Sequence, residues 1–255
     1  MGNPLEPLAG LVSQLGRIVF PPYCVICGSL ADELVCAQCT AKLPRVMHPI
    51  CPRCGKPLKT SVPRSDCGHC SGHDWALNAA RALFIYEGEG REALHRFKYG
   101  SRRGLARYFG SVLSDEAGDL SALGAIFNWD LGDAPQLLVP VPLHPRKRFQ
   151  RGFNQNELVL RFYTPALGLP VALGALKRVK ATKPQVRLTE AQRFDNVRGA
   201  FAVPPKAKAQ VQGKRVLLFD DVATTGATLN AAARALKRAG ASRVYALTLF
   251  TSAPD

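Results

Sequence analysis

All eight cysteines of the chain lie between residues 24 and 70, and every one belongs to a C-x-x-C pair. The first set is CVICGSLADELVCAQC, with Cys24, Cys27, Cys36 and Cys39; the second is CPRCGKPLKTSVPRSDCGHC, with Cys51, Cys54, Cys67 and Cys70. A C-x-x-C turn presents two thiolates to one tetrahedral centre, and a second turn completes the shell. Gly28, Gly55 and Gly68 follow or sit within these turns, where a tight knuckle often needs positive φ. Two structural zinc sites, each with four cysteine ligands, are the natural reading, because four thiolates leave no open coordination position. Spacing alone also accommodates an iron–sulfur cluster. Disulfides would need an oxidising compartment, and a thioredoxin-like motif needs one C-x-x-C in a βαβ setting. Sequential pairing of the knuckles gives two ribbons in tandem, and cross-bracing is the alternative. His69 and His73, which could replace a cysteine, are read as surface histidines.

The charge is as uneven as the cysteines. The 255 residues carry a formal net charge of +15. Residues 1–75 contain 7 Lys/Arg and 5 Asp/Glu, whereas residues 76–255 contain 27 and 14. The second part therefore meets an anionic partner: nucleic acid, a polyphosphate metabolite or acidic lipid. No stretch reaches the roughly 18 uninterrupted apolar residues of a membrane span. The first twenty residues lack a basic n-region and an A-x-A-like cleavage site, so a cytoplasmic protein is expected. Leu8, Leu11, Val12, Leu15 and Val19 follow helical spacing and predict a short amphipathic helix that docks on the domain.

Beyond residue 75 the texture changes to alternating strands and helices. RALFIY is β-prone, and two helices follow around the break at Tyr99-Gly100-Ser101. A less regular segment runs to about residue 135, and QLLVPVPL is a strand with prolines near its end. Asn154 or Asn156 caps the next helix. ALGAL (172–176) reads as a short strand, TEAQRFDNV as a helix capped by Thr189, and GAFAV as a strand. VPPKAKAQVQGK (203–214) reads as a polar connector. The strongest strand in the chain is KRVLLFDD, followed by a helix ending at Gly240 and a last strand, SRVYALTLF. This alternation predicts an α/β domain with a mainly parallel sheet, preceded by a small zinc-binding module of cysteine knuckles over residues 1–75.

The run VLLFDDVATTGATL puts two carboxylates, Asp220 and Asp221, at the carboxyl end of that strand, where open α/β sheets bind ligands. Ala223, Thr224, Thr225, Gly226, Ala227 and Thr228 follow directly before a helix. Backbone N–H groups and hydroxyls there converge near the positive end of a helix dipole, an arrangement suited to a phosphate monoester. Carboxylates beside a phosphate cradle imply a ligand with both a phosphate and donor groups, such as ribose 5-phosphate. Neither a Walker A loop nor G-x-G-x-x-G is present.

VLLFDDVATTGAT resembles the phosphoribosyl-diphosphate (PRPP) motif of type I phosphoribosyltransferases. With VPVPLHPRKRFQRGFNQNELV, TEAQRFDNVRGAF and the cysteine knuckles, nearly the whole chain resembles the ComF family. That resemblance implies a type I phosphoribosyltransferase-like domain over residues 76–255 and a double zinc ribbon before it. It implies that Asp220 and Asp221, the expected catalytic pair, hold the ribose 2- and 3-hydroxyls while Thr224 to Thr228 hold the 5-phosphate. Arg146, Lys147, Arg148 and Arg151, with Asn154 and Gln155, would face the pyrophosphate, and Mg2+ would accompany PRPP. It further implies a role in uptake of single-stranded DNA during natural transformation, with DNA-translocating helicases and recombination-loading proteins as partners. A catalytically active phosphoribosyltransferase with an unknown acceptor is the alternative. Because the chain ends soon after its last strand, the hood over an acceptor is expected from residues 76–130 or from the zinc segment.

Two basic runs favour an anionic polymer or a large phosphorylated ligand. HRFKYGSRRGLARYF interleaves His95, Arg96, Lys98, Arg102, Arg103 and Arg107 with Phe97, Tyr99, Tyr108 and Phe109, a mixture suited to backbone neutralisation and base stacking. LKRVKATKPQVR carries Lys177, Arg178, Lys180, Lys183 and Arg187 without an acid, and reads as a loop closing over PRPP or a strand-binding arm.

Overall fold

A computed structural model of the chain describes residues 23–59, 67–100, 102–129, 131–183 and 188–253. The amphipathic helix expected over residues 8–19, and Arg187 of the basic run, lie outside the described residues. Contacts divide the chain between Leu43 and Pro44. One cysteine tetrad falls in each of these units. The physical reason is that the second knuckle is hydrogen-bonded into the α/β sheet.

In the smaller unit, Tyr23 and Leu30 form an antiparallel bridge across the first knuckle, and a short helix α1 (Ala37–Ala41) carries Cys39. The larger unit opens with the second knuckle and α2 (Gly68–Ser71). It continues through β1 (Ala79–Ile85), α3 (Gly88–Tyr99), α4 (Leu105–Ala117), α5 (Leu120–Phe127), β2 (Leu137–Pro140), α6 (Pro145–Arg151) and α7 (Gln155–Leu167). Then follow β3 (Lys177–Arg178), α8 (Glu190–Val197), β4 (Phe201–Ala202), α9 (Lys208–Val211), β5 (Arg215–Ala223), α10 (Ala227–Arg238) and β6 (Arg243–Thr251).

Four strands form a parallel sheet in the order β1-β6-β5-β2. Both faces are covered, which is why β5 and β6 read as continuous apolar runs. On one face Val216, Leu218, Val244 and Ala246 pack with Ala232, Ala233 and Leu236 of α10 and Val197 of α8. The other face is aromatic. Phe250 contacts Phe84 at 5.9 Å and Phe109 at 5.8 Å between ring centres, and Phe97 lies 5.6 Å from Phe109. Phe97 and Phe109 are fully buried. They are core residues and do not serve as stacking platforms for nucleic-acid bases.

Where strands end decides where the site lies. Pairing between β2 and β5 stops at Pro140 opposite Phe219, and the Val141 amide makes a last bond to the Phe219 carbonyl. β5 continues beside β6 as far as Ala223 opposite Thr251. Asp220 and Asp221 therefore lie within β5, just past the point where β2 has peeled away, and a crevice opens beside them.

Several segments differ from their sequence reading for identifiable reasons. The segment before residue 135 contains α5, which Asp119 caps by accepting from the Ala122 amide and Asn128 ends in left-handed conformation. ALGAL (172–176) forms no strand: the bridge of Leu138 to Val171 lies just before it, β3 begins just after it, and Gly174 turns the chain at φ +79°. The supposed polar connector forms α9, and Ala207 and Val211 are buried there. Gly68 opens α2 instead of turning a knuckle, whereas Gly28 and Gly55 adopt φ of +76° and +72°.

Candidate functional site

The cysteines assemble as two sequential tetrads, Cys24/Cys27/Cys36/Cys39 and Cys51/Cys54/Cys67/Cys70. Within each, all sulfurs lie within 4.8 Å of one another. Cys27 and Cys36 Sγ are 3.8 Å apart, Cys51 and Cys70 3.7 Å, and Cys54 and Cys67 3.9 Å. A tetrahedron with Zn–S bonds of about 2.3 Å has an edge of roughly 3.8 Å. The donor sets thus fit tetrahedral zinc with no cysteine replaced by histidine. Backbone amides of Ile26 and Cys36 point at Cys24 Sγ at 3.4 Å, as suits a thiolate ligand.

His69 is neither a ligand nor a surface residue. Its Nε2 lies 3.0 Å from the Thr225 carbonyl and its Nδ1 2.9 Å from Glu190 Oε1. Trp75 lies directly behind the same turn. Gly226 has φ +68°, and a Cβ there would come within 2.6 Å of the Trp75 ring. Asn230 of α10 accepts from the Ala76 amide at 2.7 Å and donates to the Asp74 carbonyl at 3.0 Å. The second cysteine site and the turn before α10 are thereby one packed assembly.

The Thr224–Gly226 turn ends at the N-terminus of α10, with Gly226 as the cap residue. Arg193 of α8 reaches Thr224 Oγ1 at 3.4 Å. Thr225 Oγ1 is buried with no hydrogen-bond partner among the described residues. A hydroxyl left unpaired beside a helix N-terminus marks a place where a ligand oxygen completes the bonding.

Asp220 and Asp221 are buried. Asn154 caps α7 by accepting from the Asn156 amide, which sets Gln155 and Asn156 against the acids. Asn156 Nδ2 donates to Asp220 Oδ1 at 2.8 Å, and Gln155 Nε2 to Asp221 Oδ2 at 2.7 Å. Gln155 Oε1 in turn accepts from Arg151. Lys98, in the last turn of α3, donates to Asp221 Oδ1 at 2.8 Å. Burial, and then the Asp221 carboxylate beside it, push the Asp220 carboxyl up to about 7, against the opposing pull of Asn156 and Lys98.

Acids and turn line one cleft of about 420 Å³. Lys98, Lys147, Arg151, Arg178, Lys183 and Arg193 line it too. Desolvation, and then the neighbouring charges of Arg178, Arg151 and Lys98, push the Lys147 ammonium below its ordinary value. Ala223, Thr224, Thr225, Gly226, Ala227 and Thr228 all face this space, as do Arg151 and Gln155. Arg148 and Asn154 are not among its lining residues: Arg148 pairs with Glu157 at 3.2 Å on the surface, and Asn154 works as a cap. Arg178 and Lys183, from the basic run read as a loop over PRPP or a strand-binding arm, line the cleft, and Asn156, Lys98 and Arg193 join them from motifs in which they carried no role at this ligand. Tyr86, His95 and Tyr99 line the cleft on the side of β1 and α3.

The fold is that of a phosphoribosyltransferase-type domain preceded by a double zinc ribbon. A double zinc ribbon domain matches residues 15–71, and a phosphoribosyl transferase domain matches residues 159–254. The chain is 31% identical to the competence protein ComFC of Bacillus subtilis, over 87% of this chain and 85% of that protein. It is 29% identical to the DNA utilization protein YhgH of Salmonella typhimurium, over 89% of this chain and 96% of that one. Among solved structures, the glutamine PRPP amidotransferase from B. subtilis complexed with ADP and GMP resembles it with a TM-score of 0.38 and 20% identity, over 60% of this chain and 30% of that one. The chain belongs to the ComF family. Among the described residues, no helix is long and apolar enough to cross a membrane.

Proposed function

We propose that the cleft binds PRPP or ribose 5-phosphate and that the protein acts in the uptake and use of single-stranded DNA. The observation that carries the ligand is the buried Thr225 hydroxyl, left without a partner in a turn that shares one cleft with two carboxylates and six cations. In this reading Thr224–Thr228 take the 5-phosphate, Asp220 and Asp221 take the ribose hydroxyls, and Lys147, Arg151 and Gln155 face the pyrophosphate. Magnesium would accompany the pyrophosphate and would supply charge neutralisation there. Three of the carboxylate oxygens already accept from protein donors, which suits an ion that keeps its waters. PRPP with magnesium is expected to raise the melting temperature of the wild type but not of Asp220→Ala/Asp221→Ala. Equal shifts in both proteins would remove the site.

The DNA role is supported by relatives named for competence and for DNA utilization. The exposed Arg102 and Arg107 and the largely exposed Tyr99 are the candidate contacts; Arg103 packs over the Phe153 ring. Binding of single-stranded DNA should weaken with salt and with Arg102→Glu/Arg107→Glu. DNA-translocating and recombination-loading proteins are the proposed partners, in the cytoplasm. A second reading is a catalytically active transferase, favoured by open space beside Tyr86, His95 and Tyr99 for an acceptor. Pyrophosphate release from PRPP, screened against nucleobases and amines, separates the two.

A further inference from the structure

The acidic pair already has its counter-ion. Lys98 Nζ sits 2.8 Å from Asp221 Oδ1, with side-chain exposures of 17% and 4%. A contact so far out of water is electrostatically strong, and removing either partner strands a buried charge. Lys98 is anchored by the last turn of α3, whose neighbouring Phe97 is fully buried in the aromatic layer. On the other side of the cleft, burial lowers the Arg178 guanidinium below its ordinary value and the Asp220 carboxylate opposes that shift. Lys98 is thus paired directly with Asp221, and Arg178 shares the cleft with both carboxylates. Four other cations, Lys147, Arg151, Lys183 and Arg193, line the same cleft.

A sugar that places vicinal hydroxyls on Asp220 and Asp221 would ordinarily need outside positive charge to offset two carboxylates beside a pyrophosphate. Here an ammonium with three donors stands at that position, and only one is committed to Asp221 Oδ1 in the contact described. We propose that Lys98 is a built-in counter-ion of the acidic pair, taking over on the ribose side part of the charge compensation that a divalent cation otherwise supplies. PRPP then binds with only a shallow dependence on magnesium. The proposal rests on the PRPP reading of the cleft.

Calorimetric titration of PRPP into the full-length, zinc-loaded protein tests it, in chelator-free buffer with magnesium varied from none to saturating. Omitting magnesium should weaken wild-type binding by less than about ten-fold and Lys98→Met by more than about a hundred-fold, with recovery of the variant as magnesium is raised. Lys98→Gln keeps a donor but not the charge, and should follow Lys98→Met; it serves where Lys98→Met fails to fold. Coincident magnesium curves for wild type and variant would overturn the proposal. So would loss of PRPP binding by both variants at every magnesium concentration, which would make Lys98 a ligand contact. A wild type that binds no PRPP under any condition would instead overturn the ligand reading itself.

Discussion

The first cysteine tetrad is held by its own knuckle. Amides of Ile26, Cys36 and Cys39 point at its sulfurs, a Tyr23–Leu30 bridge closes the ribbon, and Cys27 is exposed. The second tetrad is held by the sheet and by the candidate ligand turn. The Ala80 amide donates to the Arg53 carbonyl at 2.7 Å, Arg81 reaches the Pro52 carbonyl, and a Cβ on Gly55 would come within 2.2 Å of the Ala80 carbonyl oxygen. Cys51, Cys67 and Cys70 are buried with Trp75 packed against them. Identical ligand chemistry therefore serves two mechanical purposes. One metal stiffens a ribbon, and the other is a structural part of the domain that carries the cleft.

The largest expected contrast lies in the metal ligands themselves. Structural zinc is worth an apparent ~10–16 kcal/mol in zinc-finger peptides at neutral pH. Cys54→Ser should abolish cooperative thermal unfolding and the PRPP response, whereas Cys27→Ser should lose one zinc and keep both. Metal analysis with calorimetry reads this, and similar losses in the two variants would erase the distinction. Next comes Gly226→Val. It combines a left-handed backbone with a Cβ 2.6 Å from Trp75, and should destabilise by at least ~1–3 kcal/mol in urea unfolding while suppressing ligand binding.

A finer comparison uses the residue that precedes the last cysteine of each tetrad, Gln38 in the first and His69 in the second. Gln38 is exposed, whereas His69 touches Thr225 and Glu190. His69→Ala should cost about 1 kcal/mol and shrink the PRPP-induced melting shift, and Gln38→Ala should change stability by less than about 0.5 kcal/mol. Equal effects would mean that the second knuckle does not position the turn.

The smallest effect concerns pH. An aspartate in the unfolded chain titrates near 3.9, and burial holds Asp220 up to about 7 in the fold. The folded state therefore binds the extra proton. This contribution to stability is full below about pH 4 and is lost as pH rises through 7. Asp220→Asn should gain little over wild type at pH 5 and a few degrees in Tm at pH 8. A gain independent of pH would show that Asp220 does not titrate in that window.

Local signals made much of this legible in the sequence. VLLFDD reads as a buried strand because both faces of β5 are covered, and Thr189 with Gln192 forms the capping box that TEAQ announces. C-x-x-C spacing gave the tetrads but not their pairing, which depends on where the chain folds back. Contacts across long separations were hidden. Lys98 and Asp221 are 123 residues apart, and α3 looked like a nucleic-acid helix because its charged face dominates the composition. Only burial separates Phe97, in the core, from Tyr99, which is 70% exposed. Likewise, α5 escaped notice because eight residues give too few turns for a clear period.

The amide of Asp221 donates to the carboxylate of its own neighbour, Asp220 Oδ1, at 3.0 Å. That proton is a spectroscopic gauge built into the floor of the cleft. Its chemical shift will follow the ionisation of Asp220 and the arrival of anything that competes for that oxygen. One backbone resonance can thus record protonation, sugar binding and the loss of Lys98 on a common scale, without a label in the ligand.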